Sequence, residues 1–205
     1  DPMDLNHDGI SGKANHVFDI ATGTLMIGRF GWKSNQPTLE QQSAGAFHGD
    51  MGLTTSLFTE QNCPLVQLDC VNAPKEEDVE VSDRVLQRVT IYGQLLAVPK
   101  SRNVNTPDFT EGQKLFHQVQ CNLCHTPRHR TGSFHPVKAL RNQEIWPYSD
   151  FLVHDMGEDL ADHRPDEEAN GREWRTPPLW SIGLIKTVNN HTNLLHDGRA
   201  RNVEE

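Results

Sequence analysis

The chain is 205 residues long, 35% hydrophobic and 23% charged, with a net charge of −9 and a pI near 5.6. That length makes one or two domains. Without a basic stripe the acidity excludes a nucleic-acid binder, and no run approaches the ~18 apolar residues of a membrane span. Acidity is compatible with docking to a basic redox protein and equally with plain solubility.

The chain begins at Asp1 without an initiator Met, which reads as a processed or truncated product. Its first motif is Asp4-Leu5-Asn6-His7-Asp8-Gly9-Ile10-Ser11-Gly12. Oxygens of Asp4, Asn6 and Asp8 at alternate positions before a glycine form the first half of a calcium loop. Asn15 stands where the loop's bidentate Glu belongs, so carbonyls, water or Asp19 must complete the shell. A polar Asx turn is the competing account.

Residues 1–78 read as loop-rich. Phe18–Ile20 and Thr187-Val188 are weak strand signals, too short to build a sheet. Thr38–His48 reads as a helix, with Thr38 as N-cap and Gln41 three residues on as a capping box. Cys63 and Cys70 form an even pair in a Pro-containing loop, for which a short disulfide is the economical reading and an oxidising compartment the corollary. Val81–Val98 reads as a longer helix capped by Ser82 and stopped by Pro99. Its stripe of Val85, Leu86, Val89, Tyr92, Leu95 and Leu96 is expected to pack in the core.

Thr106–Gln120 reads as a short helix, with Thr106, Asp108 and Thr110 as cap candidates and Leu115, Phe116 and Val119 as its apolar face. Gly112 offers a place for another helix to approach. The helix leads into Cys121-Asn122-Leu123-Cys124-His125, the attachment signature of a c-type haem. Two thiols add to the haem vinyl groups, and the next imidazole binds the iron. A chain of this composition matches the pattern by chance about 0.004 times. A redox C-x-x-C with a bystander His, or half of a zinc site, are the alternatives. Periplasmic or other extracytoplasmic location agrees with covalent haem and with the disulfide.

The second iron ligand is open among Met156, His154, His135, His129, His163 and His196. Met156, in His154-Asp155-Met156-Gly157, is the leading candidate, because a thioether suits an electron-transfer haem. His48-Gly49-Asp50-Met51-Gly52 echoes that phrase, so the two could serve two haem modules as pseudo-repeats. Packing in the core is the other reading of both methionines. Arg175 and Arg199 are candidate partners for haem propionates, with surface ion pairs as the alternative. Trp146-Pro147-Tyr148, Trp174 and Trp180 are expected to wall a haem pocket. Asn202–Glu205 reads as the opening turn of a helix.

Several phrases carry a resemblance: Asp8-Gly9-Ile10-Ser11-Gly12, Gly28-Arg29-Phe30-Gly31-Trp32-Lys33, Asp50-Met51-Gly52, His154-Asp155-Met156-Gly157, Trp174-Arg175-Thr176-Pro177-Pro178-Leu179-Trp180 and Leu195-His196-Asp197-Gly198-Arg199-Ala200. With them the chain resembles the di-haem oxidoreductases, a peroxidase-type family also labelled thiol oxidoreductase-like. It is more distantly similar to bacterial di-haem cytochrome c peroxidases, with Thr176–Trp180 and His196-Asp197-Gly198 in place of their Pro-Ser-Leu-Arg segment and His-Asp-Gly turn. The resemblance implies haem as cofactor, two C-x-x-C-H motifs, and a chain that continues beyond Glu205. This sequence has one such motif, and so looks like a C-terminal-side portion. The peroxidase likeness adds a sixth ligand beyond Glu205 as a further option.

Two functions follow. One is part of an extracytoplasmic di-haem redox enzyme that transfers electrons and reduces peroxide, or acts on a thiol. The other is a pure electron-transfer cytochrome with a closed six-coordinate haem. The expected fold is mainly α, a cytochrome c-like haem domain (105–205) preceded by a loop-rich helical segment (1–104). The expected cofactors are one covalent haem c and calcium, and the expected partner is a redox protein or second haem module.

Overall fold

The computed structural model describes residues 2–75 and 78–205. The described residues are 29% helical and 12% strand, with five α-helices and three two-stranded sheets among long loops. Two compact units form, and neither is a continuous stretch of chain. The first unit comprises the segment through Lys13 together with Ala97–Met156 and Trp174–Glu205, and the second comprises Ala14–Leu96 and Gly157–Glu173.

The second unit opens on a hairpin of β1 (His16–Asp19) and β2 (Thr24–Ile27), antiparallel with Phe18 opposite Leu25. This corrects the expectation that Phe18–Ile20 builds no sheet. Four residues suffice because Gly23, at φ +68°, closes the turn with its N–H on the Asp19 carbonyl at 2.8 Å. Helix α1 (Leu39–Met51) follows, with Thr38 Oγ1 accepting from the Gln41 N–H at 3.1 Å. The expected capping box is half made, because Gln41 is buried and its amide is used elsewhere. Gln41 Nε2 donates to the Phe18 carbonyl, and its Oε1 accepts from the Ile20 N–H, so the side chain stitches α1 to the hairpin.

Cys63 and Cys70 are disulfide-bonded, with the second cysteine on the short α2 (Leu68–Val71). Helix α3 (Asp83–Leu95) packs on α1 where Gly93 meets Leu39; a Cβ on Gly93 would lie 2.9 Å from the Leu39 side chain. Ala44, Val81 and Leu86 form the buried centre, flanked by Phe47, Leu53, Leu57 and Phe58. The expected α3 stripe is therefore corrected. Leu86 is 1% exposed, whereas Val85, Val89, Tyr92, Leu95 and Leu96 are all exposed. The face that meets α1 is set by Leu86, Thr90 and Gly93 rather than by the broadest apolar stripe.

Two buried polar side chains bind Gly157–Glu173 into this unit. Lys33 donates to Asp162 Oδ1 at 2.6 Å and to the carbonyls of Arg164 and Asn170. Asn15 donates to the carbonyls of Lys33 and Asp166 and accepts from the Glu168 N–H.

The first unit contains helix α4 (Pro107–Gln118), capped by Thr106 through the Phe109 N–H. Nothing lies within 4 Å of a Cβ placed on Gly112, so the expected helix approach there is absent among the described residues. A ribbon of β3 (His129–Arg130) and β4 (Glu144–Ile145) follows. The short strand β5 (Val153–Asp155) pairs with β6 (Glu173–Arg175), and Lys13 bridges to Val153. Thr187-Val188 lies in α5 (Ile185–Asn189), and Asn202–Glu205 is turn and exposed coil.

Candidate functional site

Helix α4 ends at Gln118, and Gln120 takes a left-handed conformation (φ +64°) that breaks the axis before the cysteines. Cys121–Leu123 is a single 3-10 turn, extended by the His125 N–H to the Cys121 carbonyl at 2.9 Å. This turn brings the thiols of Cys121 and Cys124 and the imidazole of His125 into one short segment. Neither thiol is in a disulfide; Cys121 is exposed and Cys124 half-buried. Burial, with the nearby carboxylates of Asp150 and Asp8, pushes the Cys124 thiol up in pKa.

The turn is held by a second strand of chain laid against it. N–H groups of Tyr148, Ser149 and Asp150 donate to the carbonyls of Pro127, Thr126 and Cys124 at 3.4, 2.9 and 2.9 Å. That register delivers the Tyr148 carbonyl to His125, whose Nδ1–H donates to it at 2.8 Å. The bond fixes the tautomer and leaves Nε2 as the lone-pair nitrogen. Phe116 sits edge-on to both rings, 6.5 Å from His125 and 5.5 Å from Tyr148. Tyr148 and Phe151 hold positive φ, a strain that concentrates at functional sites. Ser149 is buried, its Oγ donating to the Thr176 carbonyl at 2.7 Å.

The candidate sixth ligands fall in different places. Met156 follows β5 and is 46% exposed. His154 is buried, with Nε2 on Asp150 Oδ2 at 2.8 Å and Gly12 pressed against its ring. Asp150 thus serves the Cys121–His125 turn through its N–H and His154 through its carboxylate. His129 donates to the Ser149 carbonyl at 2.7 Å, and His135 accepts from the Val137 N–H. His163 is exposed near Glu158. His196 stacks on Trp174, the rings 3.5 Å apart and 9° from parallel. The echo around Met51 has a different local fold: it ends helix α1 before Gly52, whereas Met156 leaves a strand before Gly157. The two phrases share a glycine at positive φ, +70° and +80°, although only Gly52 is left-handed helical.

Arg175 lies on β6, and burial pushes its guanidinium down in pKa. Arg199 pairs with Asp197 at 2.5 Å. At the calcium motif the Asp4 carboxylate accepts from the N–H groups of Asp8 and Gly9, Asp8 Oδ1 accepts from the Ile10 N–H, and the Asn6 amide donates to Asp8 Oδ2. These oxygens satisfy the local backbone as an Asx-type turn, and the arrangement does not support calcium. No group of three or more His, Cys, Asp or Glu able to hold a metal occurs among the described residues. No helix among them is long and apolar enough to cross a membrane.

The sequence pattern singled out the two cysteines and His125, which the structure places on one turn, but not the Tyr148 carbonyl or the Asp150 contacts beside them. Pro147 in Trp-Pro-Tyr marked extended backbone there, the one signal available.

Two thiols and an imidazole on one turn, the imidazole with one nitrogen already committed, are a set that fits a covalent haem. The chain belongs to the family described as "Di-haem oxidoreductase, putative peroxidase", which it matches over residues 1–205. That description implies haem as the cofactor. No curated protein and no solved structure matches the chain.

Proposed function

We propose that the chain is the c-type haem-bearing part of an extracytoplasmic di-haem oxidoreductase that transfers electrons and reduces peroxide. In this reading Cys121 and Cys124 hold the haem through thioethers and His125 is the proximal ligand. The observation that carries it is the 2.8 Å bond from His125 Nδ1 to the Tyr148 carbonyl. It orients Nε2 as a ligand and raises its basicity, as outer partners of metal-bound histidines do. Bound haem supplies an iron that takes and gives single electrons. The protein's own contribution is to hold the imidazole in one tautomer, to keep the thiols apart as thiols, and to present them at an exposed turn. The Cys63–Cys70 disulfide supports an oxidising compartment.

The alternative is a closed electron-transfer cytochrome, with Met156 as the sixth ligand. Its support is the position of Met156 directly after β5, a partly exposed thioether in the same compact unit as His125.

Spectra of the purified protein, oxidised and reduced, test both. Haem that stays with the chain after denaturation, and is lost in the Cys121→Ala/Cys124→Ala variant, is expected. His125→Ala is expected to retain thioether-bound haem but lose its low-spin spectrum. Bands that change on adding peroxide support the enzyme. A ~695 nm band insensitive to peroxide and abolished by Met156→Ala supports the closed cytochrome. Absence of covalent haem removes both.

A further inference from the structure

The first compact unit contains a cleft of about 390 Å³ beside the attachment turn, within the range of small-molecule and cofactor sites. It is lined by Trp146, Tyr148, Trp180 and Ile182 together with Lys100 and Arg102. Tyr148 belongs to both places, since its carbonyl holds His125. Arg102 is already oriented by its Nη2 donating to the Gly183 carbonyl at 3.1 Å, which leaves further donors of its fork. Arg128 lies over the Trp146 ring at 5.7 Å and pairs with Glu144 at 2.8 Å, fixing that wall. In a chain of net charge −9, no Asp or Glu lines this cleft among the described residues. Aromatic walls, two cations and no carboxylate describe a site for a ligand that is planar, apolar over its faces and anionic at one edge.

We propose that this cleft receives the propionate-bearing edge of the haem, with Lys100 and Arg102 anchoring its carboxylates. The inference rests on the haem reading above and assigns anchoring to residues other than Arg175. Arg102 pairs with a carboxylate as a fork and Lys100 as a point charge. Together they compensate negative charge that otherwise favours the ferric iron.

The test is the midpoint potential of the holoprotein at fixed pH and ionic strength. Covalent haem is quantified by mass on the same samples. Lys100→Gln/Arg102→Gln is expected to shift the potential negative while haem stays fully attached. Arg102→Lys keeps the charge and is expected to retain most of the wild-type potential. Lys114→Gln, an exposed lysine of α4 paired with Glu111, is expected to leave it unchanged. An unchanged potential in the double variant overturns the proposal. So does a shift of equal size in Lys114→Gln, or in Arg102→Lys, which would trace the effect to net charge or to the Gly183 tie. Wild-type protein without haem on Cys121 and Cys124 overturns the underlying reading as well, and mass alone distinguishes that failure.

Discussion

Gly28 leaves no room for a side chain: a Cβ there would lie 1.6 Å from the Ser34 carbonyl oxygen and 3.1 Å from Val17. Backbone cannot yield as a flexible side chain can, so Gly28→Ala is expected to cost about 3 kcal/mol, measured by urea unfolding. Lys33 is 4% exposed and engages three oxygens, and Lys33→Met leaves Asp162 and two carbonyls without it. Loss of one partner of a buried pair is severe, but Asp162 is a third exposed. The expected destabilisation is therefore about 2 kcal/mol. At this scale the sequence was most readable where chemistry fixes residue type. Cys121, Cys124 and His125 stand out in the sequence because two thiols and an imidazole at that spacing are a set few other chemistries call for. Tyr148 was not, because it supplies a carbonyl, which every residue owns. Lys33 and Asn15 were equally silent, since their partners lie more than a hundred residues away in sequence.

Among the elements, α3 separates burial from apolarity. Leu86→Ala is expected to lose about 3 kcal/mol, as buried leucines do. Val89→Ser and Tyr92→Ser on the exposed side are expected to stay within about 0.5 kcal/mol. Equal losses in the same unfolding series would mean that the exposed stripe is covered. The Cys63–Cys70 bridge closes a separation of seven residues. Constraint of so short a loop in the unfolded chain is worth about 2.5 kcal/mol. Cys63→Ser/Cys70→Ser is expected to lower the unfolding free energy by up to that amount. Helix positions were legible because caps and stops are local: Thr38, Thr106 and Pro99 all act within a few residues. The hairpin was not, because its stability comes from Gln41 reaching back from α1.

Acid sensitivity belongs to the whole molecule. Hydrogen bonds from Thr54 hold the Glu80 carboxyl below its ordinary pKa. Burial would raise Asp162 and Asp197, but Lys33 and the Arg164 N–H outweigh it for Asp162, and the N–H and guanidinium of Arg199 outweigh it for Asp197. Carboxyls with depressed folded-state pKa values stabilise the fold above their unfolded pKa of about 4, and that stability is lost as pH falls through the folded values. The melting temperature is expected to be level from pH 7 to about 5 and to drop below 4. Glu80→Gln is expected to reduce the drop, as calorimetry across that range would show.

The interleaving of the two compact units bears on how the chain is made. A ribosome releases Ala14–Leu96 early, but Asp162, which Lys33 holds, and Asp166, which Asn15 holds, lie 129 and 151 residues further along the chain than those partners. The thiols at 121 and 124 emerge in between. Neither unit has all of its segments on a nascent chain until residue 173 has appeared, so Cys121 and Cys124 emerge before either unit is complete. A nick between Gly157 and Glu173 would therefore cut through the second unit rather than through a linker.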